Sequence, residues 1–401
     1  MINHQKSQKK YKALVGLFFF CVFNPFVSPL PIGTDVQLPV FLLAFVLFII
    51  ASINGKVRID KSQILLLLIS MWTLAYLGLE GSFNPRYRLG LPLGILVLLV
   101  VHIYWQSLSL TVVYISIAFN SIGIISHKLF PQIFIPIAEL VTREIKIKEI
   151  GSRGASGFCA EPGLASAMFI ILLLTLVYLR DKKILQKKYF YLNSILMVYC
   201  ILLTQSATGI LFMVIIFFVF ITFKMRAYFK IISITIIISI ILYANSTDFF
   251  EATRSGALIV LFLTSPLEIL RLDSSLAERA AGITFGLYGI NEWLFGYGGG
   301  SYANVAPQLD SKYNVMNYYY TARDQTQQTV SAFGTYSLEF GIIFWIFLIV
   351  LLYYSFALSA MSLASLAIAF MFILASFSIA FPGIWYLIVL STQYQKNRGN
   401  N

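Results

Sequence analysis

An arginine and a glutamate stand eight residues apart at the start of a long apolar run, in the segment RGASGFCAEPGLASAMF from Arg153 to Phe169. The glycines between them permit tight turns and a close approach of the backbone to a ligand. An arginine over such a turn is suited to binding a lipid phosphate, and an ordinary headgroup anchor is the alternative. Pro162 suits the first turn of a helix, which leaves Glu161 three roles: helix cap, partner of Arg153, or general base.

Hydroxyl groups form a second candidate site in the segment LLTQSATGILF, from Leu202 to Phe212. Ser206 and Thr208 lie between two apolar runs. Hydroxyls at such a position either donate hydrogen bonds to a pyrophosphate or a sugar, or satisfy the backbone of a tight turn. Both interpretations stay open from the sequence.

A third group of candidates lies in residues 247–336. Ser274 or Ser275 followed by Glu278 is a capping-box pattern, which places Arg279 on the second turn of a helix. The run LFGYGGGSY is too rich in glycine for a helix and indicates a loop pressed against another part of the chain. The aromatic and basic residues suit sugar rings and phosphates, although single tyrosines are also typical of a membrane interface. The further substrate-binding candidates in this segment are Arg254, Arg271, Gly298, Tyr302 and Arg323.

The elements that must position these residues are membrane helices. Of 401 residues, 59% are hydrophobic and only 11% are charged, which excludes a soluble globular domain. Continuous apolar runs predict an all-α polytopic integral membrane protein, with residues 1–401 forming a single membrane domain. Twelve spans are predicted, near 12–30, 36–53, 63–79, 89–105, 107–125, 163–179, 190–204, 207–223, 231–246, 337–355, 357–377 and 379–392.

The charge distribution predicts the orientation of these spans. Most of the 29 basic residues fall on the side of the amino-terminal tail, whereas only Asp60 and Asp181 among the 17 acids do so. Because basic residues are retained on the cytoplasmic side, both termini are expected there. The net charge of +12 is thus an orientation signal and gives no indication of nucleic acid as a partner.

Two segments on the outer side are too long to be simple connections, residues 126–162 and 247–336. The first contains a predicted interfacial helix lying on the outer leaflet. Its apolar face is formed by Ile137, Leu140, Val141, Ile145 and Ile150. Function is therefore expected on the periplasmic face.

Ionisable residues are missing from the middle of the predicted spans. Glu339 is assigned to a helix start and His102 to a helix end. Since transporters usually keep ionisable groups at membrane depth, this pattern disfavours a transporter or flippase. The three scattered cysteines support neither a disulfide framework nor a metal site, and no cofactor is expected.

Five motifs together resemble the bacterial O-antigen polymerases of the Wzy type, which share a superfamily with the O-antigen ligases. They occur in the order RGASGFCAEPGLAS, LLTQSATG, DSSLAERAAG, LFGYGGGSYANV and TYSLEFGIIFW. The resemblance implies a glycosyltransferase that polymerises undecaprenyl-diphosphate-linked oligosaccharide repeat units at the periplasmic face of the inner membrane. It implies catalytic roles for Arg153 and Arg279. Glu161 is a third catalytic candidate because of its position beside Arg153 at the helix start. Membrane lipids and a polysaccharide chain-length regulator are the other partners that the resemblance suggests.

The sequence does not identify the base that accepts the proton of the acceptor hydroxyl. Related ligases are associated with a histidine in the large outer loop, and residues 247–336 contain none; the three histidines are His4, His102 and His127. This departure disfavours an O-antigen ligase acting on lipid A core, which remains the alternative enzyme, while a lipid-linked oligosaccharide flippase is the alternative from another class. The candidate bases are Glu161, Asp273, Glu278, Asp324 and Glu339, and a mechanism without a full base is also possible.

Overall fold

The computed structural model describes residues 11–27, 37–79, 81, 88–142, 154–224, 265, 268, 274–319, 331–356, 359–375 and 378–394. Within them the regular structure is helical, with one isolated β-bridge between Val27 and Thr142. The helices are α1 Lys12–Phe23, α2 Leu38–Ile53, α3 Lys61–Ala75, α4 Gly90–Tyr104 with a 3₁₀ turn Trp105–Ser107, α5 Leu110–Leu129, α6 Pro131–Glu139, α7 Pro162–Asp181, α8 Lys187–Leu203, α9 Ala207–Lys224, α10 Ser274–Glu292, α11 Tyr302–Tyr313, α12 Val315–Tyr318, α13 Ala332–Ser355, α14 Ala360–Ala375 and α15 Pro382–Thr392.

The predicted all-α fold is confirmed for the described residues, and its apolar helices fit a membrane protein. Four helices in the described part are long and apolar enough to cross a membrane: Gly90–Ser107, Leu110–Leu129, Pro162–Asp181 and Ala332–Ser355. Six shorter apolar helices accompany them. Every predicted span coincides with a helix except residues 231–246, which lie outside the described residues.

α15 forms the centre of the bundle and is buried along its whole length. It packs against α1, α4, α7, α13 and α14. Ile379, just before α15, lies against Gly90 of α4, and Trp385 lies so close to Gly94 that a Cβ atom there would overlap the indole ring. α4 and α15 therefore run in the same direction, in the close packing that small residues allow between membrane helices.

α7 runs parallel to the same two helices. Gly383 near the start of α15 lies against Ile171. One turn further along both helices, the hydroxyls of Thr175 and Tyr386 are 2.9 Å apart. The amino-terminal ends of α4, α7 and α15 consequently lie at one end of the bundle, which we call the site end.

The opposite end carries the amino terminus of α3 and the carboxyl termini of α4 and α13. Asp60 and Gln63 form a capping box at the start of α3, and the Gln63 amide donates to the Tyr354 hydroxyl at 3.0 Å. The same hydroxyl lies 2.9 Å from Nδ1 of His102. The prediction that His102 lies at a helix end is confirmed, since it is in the last turn of α4.

Residues 274–319 form an outer lobe, made of α10, α11, α12 and the chain between them, with a small core of its own. Phe285 of α10 packs on Tyr302 of α11 in that core. α10 also runs along the first half of α13, where a side chain on Gly334 would overlap the backbone of Gly282. The lobe is thus packed directly onto a membrane helix.

A helix is present where the interfacial helix is predicted, from Pro131 to Glu139 as α6; its position on a leaflet stays a prediction. Phe134 and Ala138 face the protein and are buried, whereas Ile137 and Leu140 are exposed. This two-sided pattern matches a helix that buries one face and offers apolar side chains on the other. Ile145 and Ile150, assigned to the same face, lie outside the described residues.

The assignment of Glu339 to a helix start is wrong. α13 begins at Ala332, because the Ser331 hydroxyl accepts the N–H of Gly334 at 3.1 Å and caps the helix there. Glu339 consequently lies two turns inside a helix long enough to span a membrane and is fully buried. An ionisable group is therefore present inside a candidate span, contrary to the expectation from the sequence.

Candidate functional site

The first cluster at the site end is built around residues 154–161, which we call the outer turn. The N–H of Ala155 donates to the carbonyl of Leu203 at 3.2 Å. A side chain on Gly154 would overlap the carbonyl of Thr204, so only glycine fits there. The segment around Arg153 and the segment LLTQSATG, some fifty residues apart in sequence, are therefore in direct contact.

His127 anchors the outer turn from the other side. Its Nδ1 accepts the backbone N–H groups of Ser156 and Gly157, both at 3.2 Å. The ring is buried and stacks on Phe134, with centroids 5.6 Å apart. Because Nδ1 accepts these bonds, the neutral ring carries its proton on Nε2. Sequence reasoning missed this residue, since no spacing pattern links it to a turn almost thirty residues downstream.

Glu161 occupies the N-cap position of α7. Its backbone is extended, and its carbonyl accepts the N–H groups of Leu164 and Ala165. The side chain makes no capping hydrogen bond and is half-buried. The position of a cap is confirmed, but the carboxylate does not act as one, so its roles as an arginine partner or a base stay predictions.

Ser206 and Thr208 lie close to the first turn of α7. A Cβ on Gly163 would stand 3.7 Å from the Ser206 hydroxyl and 3.9 Å from that of Thr208. Ser206 also accepts the N–H of Gly209 at 3.3 Å, which satisfies the start of α9. The turn-stabilising interpretation of Ser206 is therefore confirmed, and both hydroxyls lie beside a helix N-terminus of the kind that favours anions.

Cys159 in the outer turn is not a nucleophile in this arrangement. Its side chain is buried, and burial raises the pKa of the thiol. A reactive cysteine needs a lowered pKa and access to its substrate.

The second cluster at the site end is the glycine loop, residues Trp293–Ser301. The structure confirms that this run is a loop pressed against another part of the chain. Gly296, Gly298 and Gly300 all adopt positive φ angles. The side of Gly298 on which a Cβ would stand is filled by the carbonyl of Leu77, so this glycine is required by packing.

α13 is broken at the point where the glycine loop meets it. Gly341 has φ 53° and ψ −137°, outside the helical region. The break frees two carbonyls of α13, and the N–H groups of the loop take them: Tyr297 donates to Leu338 at 3.1 Å and Gly298 to Glu339 at 2.8 Å. Non-helical backbone inside a membrane helix is tolerated where protein covers it, as here.

Two buried charged residues hold adjacent glycines of this loop. One carboxylate oxygen of Glu339 accepts the N–H of Gly300 at 2.9 Å. Arg88, which is also fully buried, donates to the carbonyl of Leu74 at 3.1 Å and to that of Gly299 at 3.4 Å. The two buried ionisable side chains lie close enough to influence each other electrostatically. Arg88 was missed from the sequence because it stands in a short connection and only the fold reveals its burial.

Arg279 lies on the second turn of α10, as the capping-box pattern predicts. It is half-buried, as is Glu278. Tyr302 is 5% exposed and packs edge-on against Phe285, with centroids 6.2 Å apart. Its position therefore serves the core of the outer lobe, and contact with a sugar stays a prediction.

Several predicted site residues lie outside the described residues: Arg153, Arg254, Arg271, Asp273, Arg323 and Asp324. Of the predicted residues, the structure brings Glu161, Ser206 and Thr208 together in the first cluster and associates Gly298, Tyr302 and Glu339 in the second. In the part of the chain that the structure describes, no three His, Cys, Asp or Glu side chains gather as metal ligands. No protein-family model matches the chain, and no curated protein is significantly similar to it.

Proposed function

We propose that this protein is a glycosyltransferase that polymerises undecaprenyl-diphosphate-linked oligosaccharide repeat units into O-antigen or a related surface polysaccharide. The observation that supports it best is the meeting of five motifs at one end of the helix bundle. The motifs that resemble the Wzy-type polymerases are spread from residue 153 to residue 345, yet they form two clusters at the ends of parallel helices.

The reaction suits arginine and hydroxyl groups without a metal. The bond between the sugar anomeric carbon and the pyrophosphate breaks, and the same carbon bonds to a hydroxyl at the non-reducing end of a second lipid-linked unit. Pyrophosphate is a good leaving group, and guanidinium groups stabilise the charge that develops on it. In this proposal Arg153 and Arg279 bind the pyrophosphate, beside the α7 N-terminus with Ser206 and Thr208.

The candidates for the general base differ in how accessible their carboxylates are to a substrate. Glu339 is buried under the glycine loop and its carboxylate is engaged by Gly300, so it does not reach a substrate in this arrangement. Glu161 is only half-buried and stands at the start of α7. We therefore favour Glu161 as the group that accepts the hydroxyl proton.

The proposed location is the bacterial inner membrane. Twelve spans would place both termini in the cytoplasm and the site end at the periplasmic face, where the lipid-linked repeats are presented. The charge distribution supports this orientation, since the basic connections fall on the side of the amino-terminal tail.

Deletion of the gene in its native host tests the proposal against its alternatives. A polymerase mutant would display a single repeat on its surface in place of long chains, with normal chains restored by the wild-type gene. Long polymer left on undecaprenyl diphosphate would indicate a ligase instead. Lipid-linked single repeats trapped on the cytoplasmic leaflet would indicate a flippase, and either result would reject the proposal.

A further inference from the structure

The buried ionisable side chains of Arg88 and Glu339 lie apart from the proposed catalytic groups and require an explanation of their own. Ionised side chains inside a membrane domain are costly unless they are paired and hydrogen-bonded, and they are usually retained for a function. Both residues are 1% exposed. Both direct their hydrogen bonds at the same short stretch, Gly299 and Gly300 of the glycine loop.

Glu339 also completes the start of α11. Ser301 occupies the N-cap position but makes no side-chain capping bond. The Glu339 carboxylate accepts the N–H of Gly300 and lies near that of Tyr302, the first residue of the helix. The first N–H groups of a helix have no partner within the helix, and a carboxyl oxygen can accept a hydrogen bond there. A side chain of α13 thus substitutes for the missing cap of a helix in the outer lobe.

Arg88 holds the loop from the other side. Its guanidinium joins the carbonyl of Leu74, near the end of α3, to the carbonyl of Gly299. A Cβ on Gly299 would stand 2.9 Å from Cγ of Arg88, so the loop backbone rests directly on the arginine stem. The glycine loop is therefore enclosed between α3, the residues before α4, and the broken segment of α13.

We propose that Arg88 and Glu339 are positioning residues that lock the glycine loop, and with it the outer lobe, onto the membrane helices. The consequence for catalysis rests on the proposed function: the lock fixes α10, which carries Arg279, against α13. Loosening it would misplace Arg279 for the transition state and lower kcat more than it raises KM.

Hydrogen–deuterium exchange of the full-length protein in lipid nanodiscs tests the lock without any substrate. The amides of Tyr297, Gly298 and Gly300 report on it directly. Glu339→Ala should accelerate their exchange on the order of 100-fold, because it removes the acceptor of the Gly300 N–H and leaves a cavity under the loop. Glu339→Gln keeps an oxygen for the Gly300 N–H and should retain part of the protection. Unchanged exchange in Glu339→Ala would overturn the proposal.

A double variant tests whether Arg88 and Glu339 act as a pair. Arg88→Gln combined with Glu339→Gln removes both charges, so protection of the loop should exceed that expected from adding the two single variants. Additive effects would contradict a lock made by the pair. Protection of the amides of Val97–Val101, in the core of α4, identifies variants that are still folded.

Glu292→Gln provides a matched control on the same lobe. Hydrogen bonds from Lys312 and Tyr313 lower the pKa of Glu292, so it is an ionised carboxylate, but its interactions are at the exposed side of the lobe. Its replacement should leave exchange of the glycine loop unchanged. A loop that loosens equally in both variants would indicate a general effect of charge and reject the lock.

Kinetic measurements distinguish the positioning role of Arg88 and Glu339 from the proposed polymerase function. If the protein polymerises lipid-linked repeats, Glu339→Gln should lower kcat about 10-fold with a smaller change in KM, since the substrate groups are untouched. A loop that loosens in a protein without polymerase activity would support the lock and reject the proposed function. Full kcat with a loosened loop would reject the catalytic role of the lock.

Discussion

At the residue scale, the polar side chains of the two clusters differ in burial. His127, Arg88 and Glu339 are buried and use their polar atoms on backbone partners. Glu161 and Thr208 remain half-buried beside the first turn of α7. The sequence showed which residue types were available, but only contacts between distant segments showed which of them are already engaged.

Arg279 is the described residue on which the proposed chemistry depends most. Arg279→Ala should lower kcat at least about 100-fold, by analogy with the loss of one donor that stabilises a developing negative charge. Arg279→Lys keeps the charge but loses the bidentate geometry and should lose about 10-fold. The measurement is the initial rate of polymer formation in liposomes.

Lys188→Ala is the control for charge alone. Lys188 is an exposed cation at the beginning of α8, whose other end meets the outer turn. The Lys188→Ala variant should therefore retain the wild-type rate. Equal rates for Arg279→Ala and Lys188→Ala would show that Arg279 has no specific role.

At the element scale, the helices were predictable because apolar runs of sufficient length have few other solutions in a membrane. The exact ends of the helices and the interruption within α13 were harder to predict. The start of α13 depends on the Ser331 cap, and the interruption at Gly341 depends on the glycine loop that covers it. Both features need a partner segment, which the local sequence does not specify.

Glycines of the first motif make different contacts, and alanine substitutions should reveal this. Gly154→Ala would force a methyl group against the carbonyl of Thr204 and should destabilise the protein by about 1–3 kcal/mol. Gly163→Ala meets only ordinary contacts at 3.7 Å and 3.9 Å and lies in a helix that favours alanine. It should therefore leave the Tm unchanged or slightly raised.

Thermal unfolding in detergent compares the two variants under one condition. A Tm for Gly154→Ala equal to that of Gly163→Ala would contradict the tight contact between the outer turn and the carboxyl end of α8.

His127 should control how firmly the outer turn is held. His127→Phe keeps an aromatic ring against Phe134 but leaves the N–H groups of Ser156 and Gly157 without an acceptor, which costs about 1–3 kcal/mol for each buried group. His127→Asn retains an acceptor oxygen near the position of Nδ1. The turn should therefore open most in the Phe variant and less in the Asn variant.

The buried thiol of Cys159 in the outer turn reports on this opening. With Cys21 and Cys200 replaced by alanine, the rate of maleimide labelling should rise in the order wild type, His127→Asn, His127→Phe. Labelling of His127→Phe at the wild-type rate would show that the two hydrogen bonds do not hold the turn.

At the scale of the whole molecule, parallel helices explain how motifs scattered over some 190 residues can lie at the same end of the bundle. α4, α7 and α15 bring their amino-terminal ends together, and each motif cluster lies at or beside one of those ends. Composition predicted a helical membrane protein, but this convergence depends on which helices pack in parallel. The chemistry assigned to the site therefore rests on the joint position of the motifs, more than on any one of them.

Reconstitution with one defined substrate tests the central claim most directly. Purified protein in liposomes receives a single undecaprenyl-diphosphate-linked repeat unit, with a metal chelator and no second acceptor. We predict a ladder of products that differ by one repeat, with one undecaprenyl diphosphate released for each new glycosidic bond. Folded protein that yields no ladder, or that transfers sugar only after lipid A core is added, would contradict the account.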